Sequence, residues 1–409
     1  MSKVVVIGGA GRLGLRLSLT ASNNGHHVVG IDIDDERLNE IRQGNLPFVE
    51  QGAEIYLEEA LKKKTLKLTT EYEPVKDADI IVITIGTPVD SNLNPGLEPV
   101  AGVIFDIAEY LKESQLIVFR NTLSPAILGR IKTIIEDKTG LKVGKEIFIA
   151  FAPEMNNENN NINELKNANQ PIGAFDERSY KKAEEFFKTI TSGKINQLSP
   201  EEAMLAKLMD NMFTYIQTAC ANEFYLIAES FNANIYKILE ATNNIPNPNP
   251  NSAGPGMHKE GWFLVDRIPF PELVTTAFKI NESIPAQIVQ KLEKQNIRKV
   301  AILGMTNKAN SDDARSSLSY KLRKALYYRD YAVACYDPYL PEFSDSSVLL
   351  NSDSVILMTP HKQFSDLGHI LNLVNNPNCL IVDLNGFWEE TKKHTNNGIF
   401  SSKSRVVKT

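Results

Sequence analysis

Residues 3–32 read KVVVIGGAGRLGLRLSLTASNNGHHVVGID: an apolar strand, a glycine-dense turn, a helical pattern and a second strand that closes on Asp32. Few folds admit that order, which matches the first β–α–β unit of a parallel sheet that takes a dinucleotide across its strand ends. Gly9, Gly11 and Gly14 fill the G-x-G-x-x-G positions. Gly9 is expected to allow the tight turn, Gly11 the approach of backbone N–H groups to a pyrophosphate, and Gly14 the close packing of helix on strand. Arg12 and Leu13 complete the turn that lines the cofactor. Asp32 is placed to accept from a ribose diol and to repel a 2′-phosphate, so NAD is expected rather than NADP. Gly8, Gly11 and Gly14 also fit the looser G-x-x-x-G-x-x-G spacing, so the turn alone leaves the enzyme class open.

A chain of 409 residues exceeds one hydrophobic core and implies more than one domain. Its net charge of -6 argues against a nucleic-acid surface. No apolar run reaches the length of a membrane span, and MSKVVVIGG enters a strand without a signal-peptide pattern. Cys220, Cys335 and Cys379 are too widely spaced for a metal pair or a disulfide framework, so reduced thiols, no metal and a cytoplasmic protein are expected.

In the first half VVVIGG, HVVGIDI, DIIVITIG, QLIVFRNT and EIFIAFAPE alternate with helical patterns. Such alternation predicts an α/β fold with a doubly wound parallel sheet. After Pro200 the chain runs through residue 242 without proline or glycine, with Ala203, Ala206, Met209, Phe213, Ile216 and Cys220 at helical spacing. Ser199-Pro200-Glu201-Glu202 supplies an N-cap, a proline at the first helical position and early acidic residues. A helix so long and so apolar needs partners on more than one side, as a domain separator, a homodimer interface or both. The stretch NNIPNPNPNSAGPGM promises little regular structure. A second alternating unit follows: KVAILGM, SSLSYKLRKALYYRD, YAVACYDP, SVILMTP and CLIVDLNGF. It lacks the glycine signature, so a Rossmann-like domain for a different nucleotide is expected there. The predicted division is 1–198, 199–285 and 286–409, two Rossmann-like doubly wound domains joined by a long central helix, with SSKSRVVKT as a loose tail.

Ligands of doubly wound sheets sit beyond the carboxyl ends of the strands. Thr84, Gly86, Thr87 and Asp90 fall there in TIGTPVD, Asn121 and Thr122 after QLIVFR, and Glu154 and Glu158 after EIFIAFAP. Taken singly, each is equally a solvated loop group or a helix cap; together they point to one crevice. Lys207 and Asn211 lie four apart on the long helix, suited to hold an oxygen that gains negative charge. An exposed lysine that merely neighbours an asparagine remains the alternative.

The segments IGGAGRLGL with GIDID, GTPVDSNLNPGL, RNTLSPAILGRI, FAPEMNNENNNINELKNANQPIG, EEAMLAKLMDNMFTYIQTACANE, ILGMTNKANSDDARSSLS with CYDPYL, and LMTPHKQF resemble the UDP-glucose/GDP-mannose 6-dehydrogenase family. Within it the chain is most similar to the UDP-N-acetylhexosamine (UDP-ManNAc/UDP-GlcNAc) branch. The resemblance implies an N-terminal NAD-binding domain, a dimerising central helix and a C-terminal domain for the UDP moiety. It also implies oxidation of a sugar CH2OH to a carboxylate with two NAD: an aldehyde, its capture by a cysteine thiolate, a second hydride transfer and thioester hydrolysis. By position, Thr122 would hold the catalytic water, Glu154 would help activate water, and Lys207 and Asn211 would stabilise the oxyanion. Lys308 would contact substrate, Arg315 would face the cofactor, and Thr87 with Thr122 would border it. Glu158 and the loop residues Gly256, His258 and Lys259 would complete the substrate site.

One departure bears on mechanism. The family loop reads approximately G-P-x-x-G-G-x-C-x-x-K-D, or G-P-C-x-x-K-D in the nearest branch, and here it is Gly254-Pro255-Gly256-Met257-His258-Lys259-Glu260. Gly256 takes the cysteine position and Glu260 the aspartate position; a substrate-gripping arginine just upstream is also absent. Without a thiolate the thioester route is closed, which leaves the first hydride transfer or a water-mediated route through an aldehyde hydrate; a two-electron oxidation of a UDP-sugar is expected, with Glu260 as a general base through water. His258 is a second candidate base. Two alternatives stay open: a catalytically silent nucleotide-sugar and NAD binder, and an NAD-dependent UDP-sugar epimerase. Tyr320 and Lys324 form a Y-x-x-x-K, though far along the chain from the Gly9 turn.

Overall fold

The computed structural model describes residues 1–88, 96–155, 162–251, 254–265, 271–394 and 399–401. These residues form two compact units, one made of 1–210 with 262–265, the other of 211–261 with the described residues from 271 onward.

The first unit is built on an eight-stranded sheet of β1 (Lys3–Ile7), β2 (His27–Ile31), β3 (Leu66–Thr69), β4 (Ile80–Ile83), β5 (Leu116–Phe119), β6 (Phe148–Phe151), β7 (Gln170–Ala174) and β8 (Ile195–Leu198), in the order β3-β2-β1-β4-β5-β6-β7-β8. Every pairing is parallel except β6 with β7. Both faces are covered, so the central strands are apolar throughout: Val4 and Val6 enter one core, Val5 and Ile7 the other. The order reverses between β1 and β4, which opens the crevice where such sheets take ligands.

The second unit carries a five-stranded sheet, β10-β9-β11-β12-β13, of β9 (Lys299–Leu303), β10 (Ala332–Tyr336), β11 (Ser354–Leu357), β12 (Leu380–Val382) and β13 (Ile399–Ser401). The last strand pairs antiparallel to β12. Each segment predicted as a strand of this unit appears as one.

The long helix spans Pro200–Ser230. Its start is a reciprocal capping box: Glu202 N–H donates to Ser199 Oγ at 3.2 Å, and Ser199 N–H to Glu202 Oε2 at 2.8 Å. It ends before the expected residue 242. Asn232 takes φ +52°, and Asn234 starts a new helix, Ile235–Glu240, by accepting from the N–H groups of Tyr236 and Lys237. The predicted apolar stripe also splits: Ala203 is buried, whereas Met209 and Phe213 are 57% and 62% exposed. Downstream, the irregular stretch gives way to a helix, Pro255–Val265.

Candidate active site

In the first unit the glycine turn closes on the end of β2. The N–H groups of Gly8 and Gly9 donate to Ile31 O at 2.8 and 2.9 Å, and Gly11 N–H to Gly8 O at 3.1 Å. The left-handed conformation falls on Gly8, φ +86°, one residue ahead of the expected Gly9. Gly9 is required for another reason, since a Cβ there would lie 2.6 Å from Gly30 Cα. A Cβ on Gly14 would come within 2.1 Å of Gly8 O. Asp32 sits against this turn, accepting from Ala10 N–H at 2.9 Å and Asp34 N–H at 3.2 Å. The Arg12 guanidinium stacks 4.7 Å over the Phe48 ring, and Leu13 is half-buried beside it in sequence. Thr84 Oγ1 braces the turn by donating to Ile7 O at 2.7 Å.

At the strand ends Thr87 Oγ1 donates to Thr122 O at 2.8 Å, so two of the expected cofactor residues meet. Asn121 is 3% exposed and neither amide atom has a hydrogen-bond partner. Glu154, 8% exposed, follows β6 and bonds Arg16 Nη1 through Oε1 at 2.7 Å. Arg16 also bonds Glu50 Oε2 at 2.8 Å, and Arg120 Nη2 stands 3.4 Å from Glu154 Oε2. Burial alone would lower the Arg16 pKa, but Glu154 and Glu50 outweigh it and raise it. For fully buried Arg120 burial wins and the pKa falls.

Lys207 and Asn211 stand one turn apart on the long helix and are 6% and 7% exposed, which removes the surface-lysine alternative. In the second unit Asn211 Nδ2 donates to Glu260 Oε2 at 2.5 Å, and Glu260 is itself buried. Gly256 lies against this pair: a Cβ on it would be 3.0 Å from Glu260 Oε1 and 3.7 Å from Asn211 Nδ2. Half-buried Lys259 has its pKa pulled down by burial, against the pull of Glu260. Asn251 anchors the start of this loop, donating to Thr306 O and Thr359 Oγ1 at 2.7 and 2.8 Å and accepting from Leu318 N–H at 2.6 Å.

Lys308 rides on the turn after β9, which Asp337 and His361 shape. Asp337 Oδ2 accepts from Met305 and Thr306 N–H at 2.6 and 3.0 Å and meets His361 Nε2 at 3.0 Å, while Asn310 N–H donates to His361 Nδ1 at 2.9 Å. The exposed Arg315 guanidinium is held in a fork by Asp313, at 2.8 and 2.7 Å. Asp90, Glu158 and the His258 side chain lie outside the described residues. Tyr320 and Lys324 share a helix, Leu318–Tyr327, of the second unit rather than of the glycine-turn sheet. Among the described residues no group of His, Cys, Asp and Glu side chains is arranged to hold a metal ion, and no helix is long and apolar enough to cross a membrane.

Comparison with known proteins decides the family. Residues 2–191 match the NAD binding domain of the UDP-glucose/GDP-mannose dehydrogenase family, 201–267 its central domain and 301–390 its UDP binding domain. The chain belongs to the UDP-glucose/GDP-mannose dehydrogenase family. A UDP-N-acetyl-D-mannosamine dehydrogenase of Methanococcus vannielii is 30% identical over 384 residues, covering 89% of this chain and 87% of the relative. The solved UDP-D-ManNAc dehydrogenase of Pyrococcus horikoshii superposes with TM-score 0.88 at 26% identity, covering 97% of this chain and 99% of that one. The UDP-N-acetyl-mannosamine dehydrogenase of Staphylococcus aureus superposes with TM-score 0.84 at 25% identity, covering 95% of each chain.

As a member of this dehydrogenase family the chain is a nucleotide-sugar dehydrogenase that uses NAD. The turn fits that cofactor: side chains at Gly9 and Gly14 would strike backbone, and Asp32 stands beside the turn with a carboxylate of the kind that accepts from a ribose diol. Motif reading gave no role to Arg16, Arg120 and Glu50. Their signal was charge inside apolar surroundings, Arg16 between Leu15 and Leu17 and Arg120 directly after LIVF.

Proposed function

We propose that this chain oxidises the C6 hydroxyl of a UDP-N-acetylhexosamine by two electrons and releases the carbonyl product. Gly256 carries this reading: the loop position that holds a thiol in the resemblance holds none here, and no cysteine occurs between Gly254 and Glu260. The relatives named for UDP-N-acetylmannosamine favour the N-acetylhexosamine. Gly9, Gly11, Arg12, Leu13, Gly14, Asp32, Thr87 and Thr122 would hold the NAD, with Arg315 toward it. When bound, NAD supplies the hydride acceptor. Lys207 by charge and Asn211 by its amide hold the oxygen on which negative charge develops. The Glu260 carboxylate takes the hydroxyl proton through a water, and Lys259 and Lys308 bind the substrate's anionic and hydroxyl groups. The alcohol loses a hydride and a proton, and sugar–CH2OH becomes sugar–CHO.

The exposed apolar row of Met209, Phe213, Phe224, Ile227 and Phe231, the last 78% exposed, favours a homodimer through the central helix. Cys220, Cys335 and Cys379 are all free thiols, which suits a reducing cytoplasm. Incubation with NAD and UDP-GlcNAc, UDP-ManNAc or UDP-glucose, followed by mass spectrometry, tests the assignment. An N-acetylhexosamine aldehyde or its hydrate is expected. Turnover of UDP-glucose alone contradicts the sugar, and isomerised sugar without NADH contradicts the dehydrogenase. A silent binder is the second reading, which calorimetric binding of UDP-sugar and NAD without any NADH would favour.

A further inference from the structure

By the family resemblance the Glu154 carboxylate helps activate the water that hydrolyses a thioester. Its surroundings suit a different task. Arg16 Nη1 bonds Oε1 at 2.7 Å, and Arg120 Nη2 lies 3.4 Å from Oε2, an atom sealed from solvent with no hydrogen-bond partner. Arg120, 1% exposed, also donates to Ala152 O at 3.2 Å and Gln170 Oε1 at 2.9 Å. Gln170 in turn donates to the carbonyls of Pro153 and Pro171 at 3.1 and 2.8 Å. The turn carrying Glu154 is therefore held at the carbonyls of Ala152 and Pro153 and at its own carboxylate. Arg16 adds the link to the first helix, Arg12–Asn23, which begins at the glycine turn.

A carboxylate that activates water needs an oxygen open to receive the proton. Here both oxygens face guanidinium groups inside the protein, where losing one member of a charge pair strands the other. The resemblance gives neither arginine a role. We infer that Arg16 and Arg120 hold Glu154 as a structural counter-ion that ties the turn after β6 to the first helix, withdrawn from water activation. This rests on the two-electron oxidation proposed above, in which no thioester needs hydrolysis.

The test uses the full chain with Glu154→Gln, Arg16→Met and the double substitution, read by thermal midpoint and by initial NADH rate with NAD and the preferred UDP-N-acetylhexosamine. Each single change is expected to lower the midpoint, and the double change to lower it no further than the larger single one. The rate per folded molecule is expected to fall by the same factor in Glu154→Gln and in Arg16→Met, since both act by breaking one pair. A loss of about a hundredfold at an unchanged midpoint, the signature of a lost general base, overturns the inference. Additive midpoint losses overturn it as well. A wild-type chain that forms no NADH refutes the two-electron oxidation, and the midpoint cycle still decides whether Arg16 and Glu154 act as a pair.

Discussion

Gly256 and Glu260 share one space: a Cβ on Gly256 would lie 3.0 Å from Oε1 of Glu260, whose other oxygen is bound by Asn211. The longer acid reaches toward the place where a side chain at 256 would begin. The contact is with the end of a flexible side chain, so a larger residue at 256 is accommodated by a shift of the carboxylate rather than by unfolding.

Gly256→Cys is therefore expected to fold and to regain a nucleophile. The thiolate adds to the aldehyde carbon, a second NAD removes the hydride of the thiohemiacetal, and a thioester remains on the enzyme. With Glu154 held by its arginines the adduct is expected to accumulate, visible as a mass gain of one acyl sugar nucleotide per chain in intact-protein spectra. Multiple turnovers to free uronate without a detectable adduct contradict this.

Alanine at the three glycines separates folding from binding. At Gly9 and Gly14 the new methyl meets backbone 2.6 and 2.1 Å away, whereas at Gly11 the nearest atom is Gly8 O at 3.3 Å. Gly9→Ala and Gly14→Ala should lose several kcal/mol of stability, about the upper end for single substitutions. Gly11→Ala should keep its thermal midpoint and lose NAD affinity in calorimetry. Equal destabilisation at all three positions contradicts the cradle.

Lys207 and Asn211 are buried one turn apart, and removing one such donor typically costs about 10²–10³ in kcat. Lys207→Ala should show that loss with little change in NAD affinity. Asn211→Leu should lose rate and thermal stability together, because it leaves the Glu260 carboxylate buried without its donor. An unchanged kcat in Lys207→Ala contradicts the oxyanion role.

Asp337 sets a pH dependence of the second unit. Burial pushes its pKa up, but the bond to His361 and those from backbone amides outweigh it and hold the carboxyl below the usual aspartate range. The folded state thus favours the charged form. Its contribution is present above the ordinary aspartate value, about 3.9, and is lost as pH falls below that through the lower folded value. The thermal midpoint should drop on acidification through this window, and less steeply in Asp337→Asn. An identical acid slope in both proteins contradicts the assignment.

The glycine turn, Asp32 and both sheets were legible because each rests on local pattern: a turn that excludes Cβ atoms, and strands apolar on both faces. Strands β3, β7, β8 and β13 were not: LKLT, QPIGA, INQL and IFS are short and carry no long apolar run. The break at Ser230 escaped notice because Asn232 makes it by backbone conformation, without glycine or proline. Burial of Lys207 and the bond between Arg16 and Glu154, 138 residues apart in sequence, depend on tertiary packing, which no local spacing encodes.

The central claim is that a hydride leaves the sugar and nothing traps the aldehyde. It is tested most directly by counting NADH formed per sugar nucleotide consumed, with excess NAD and limiting UDP-N-acetylhexosamine. The account predicts a single NADH per sugar and a carbonyl product; two NADH per sugar with a uronic acid product would contradict it.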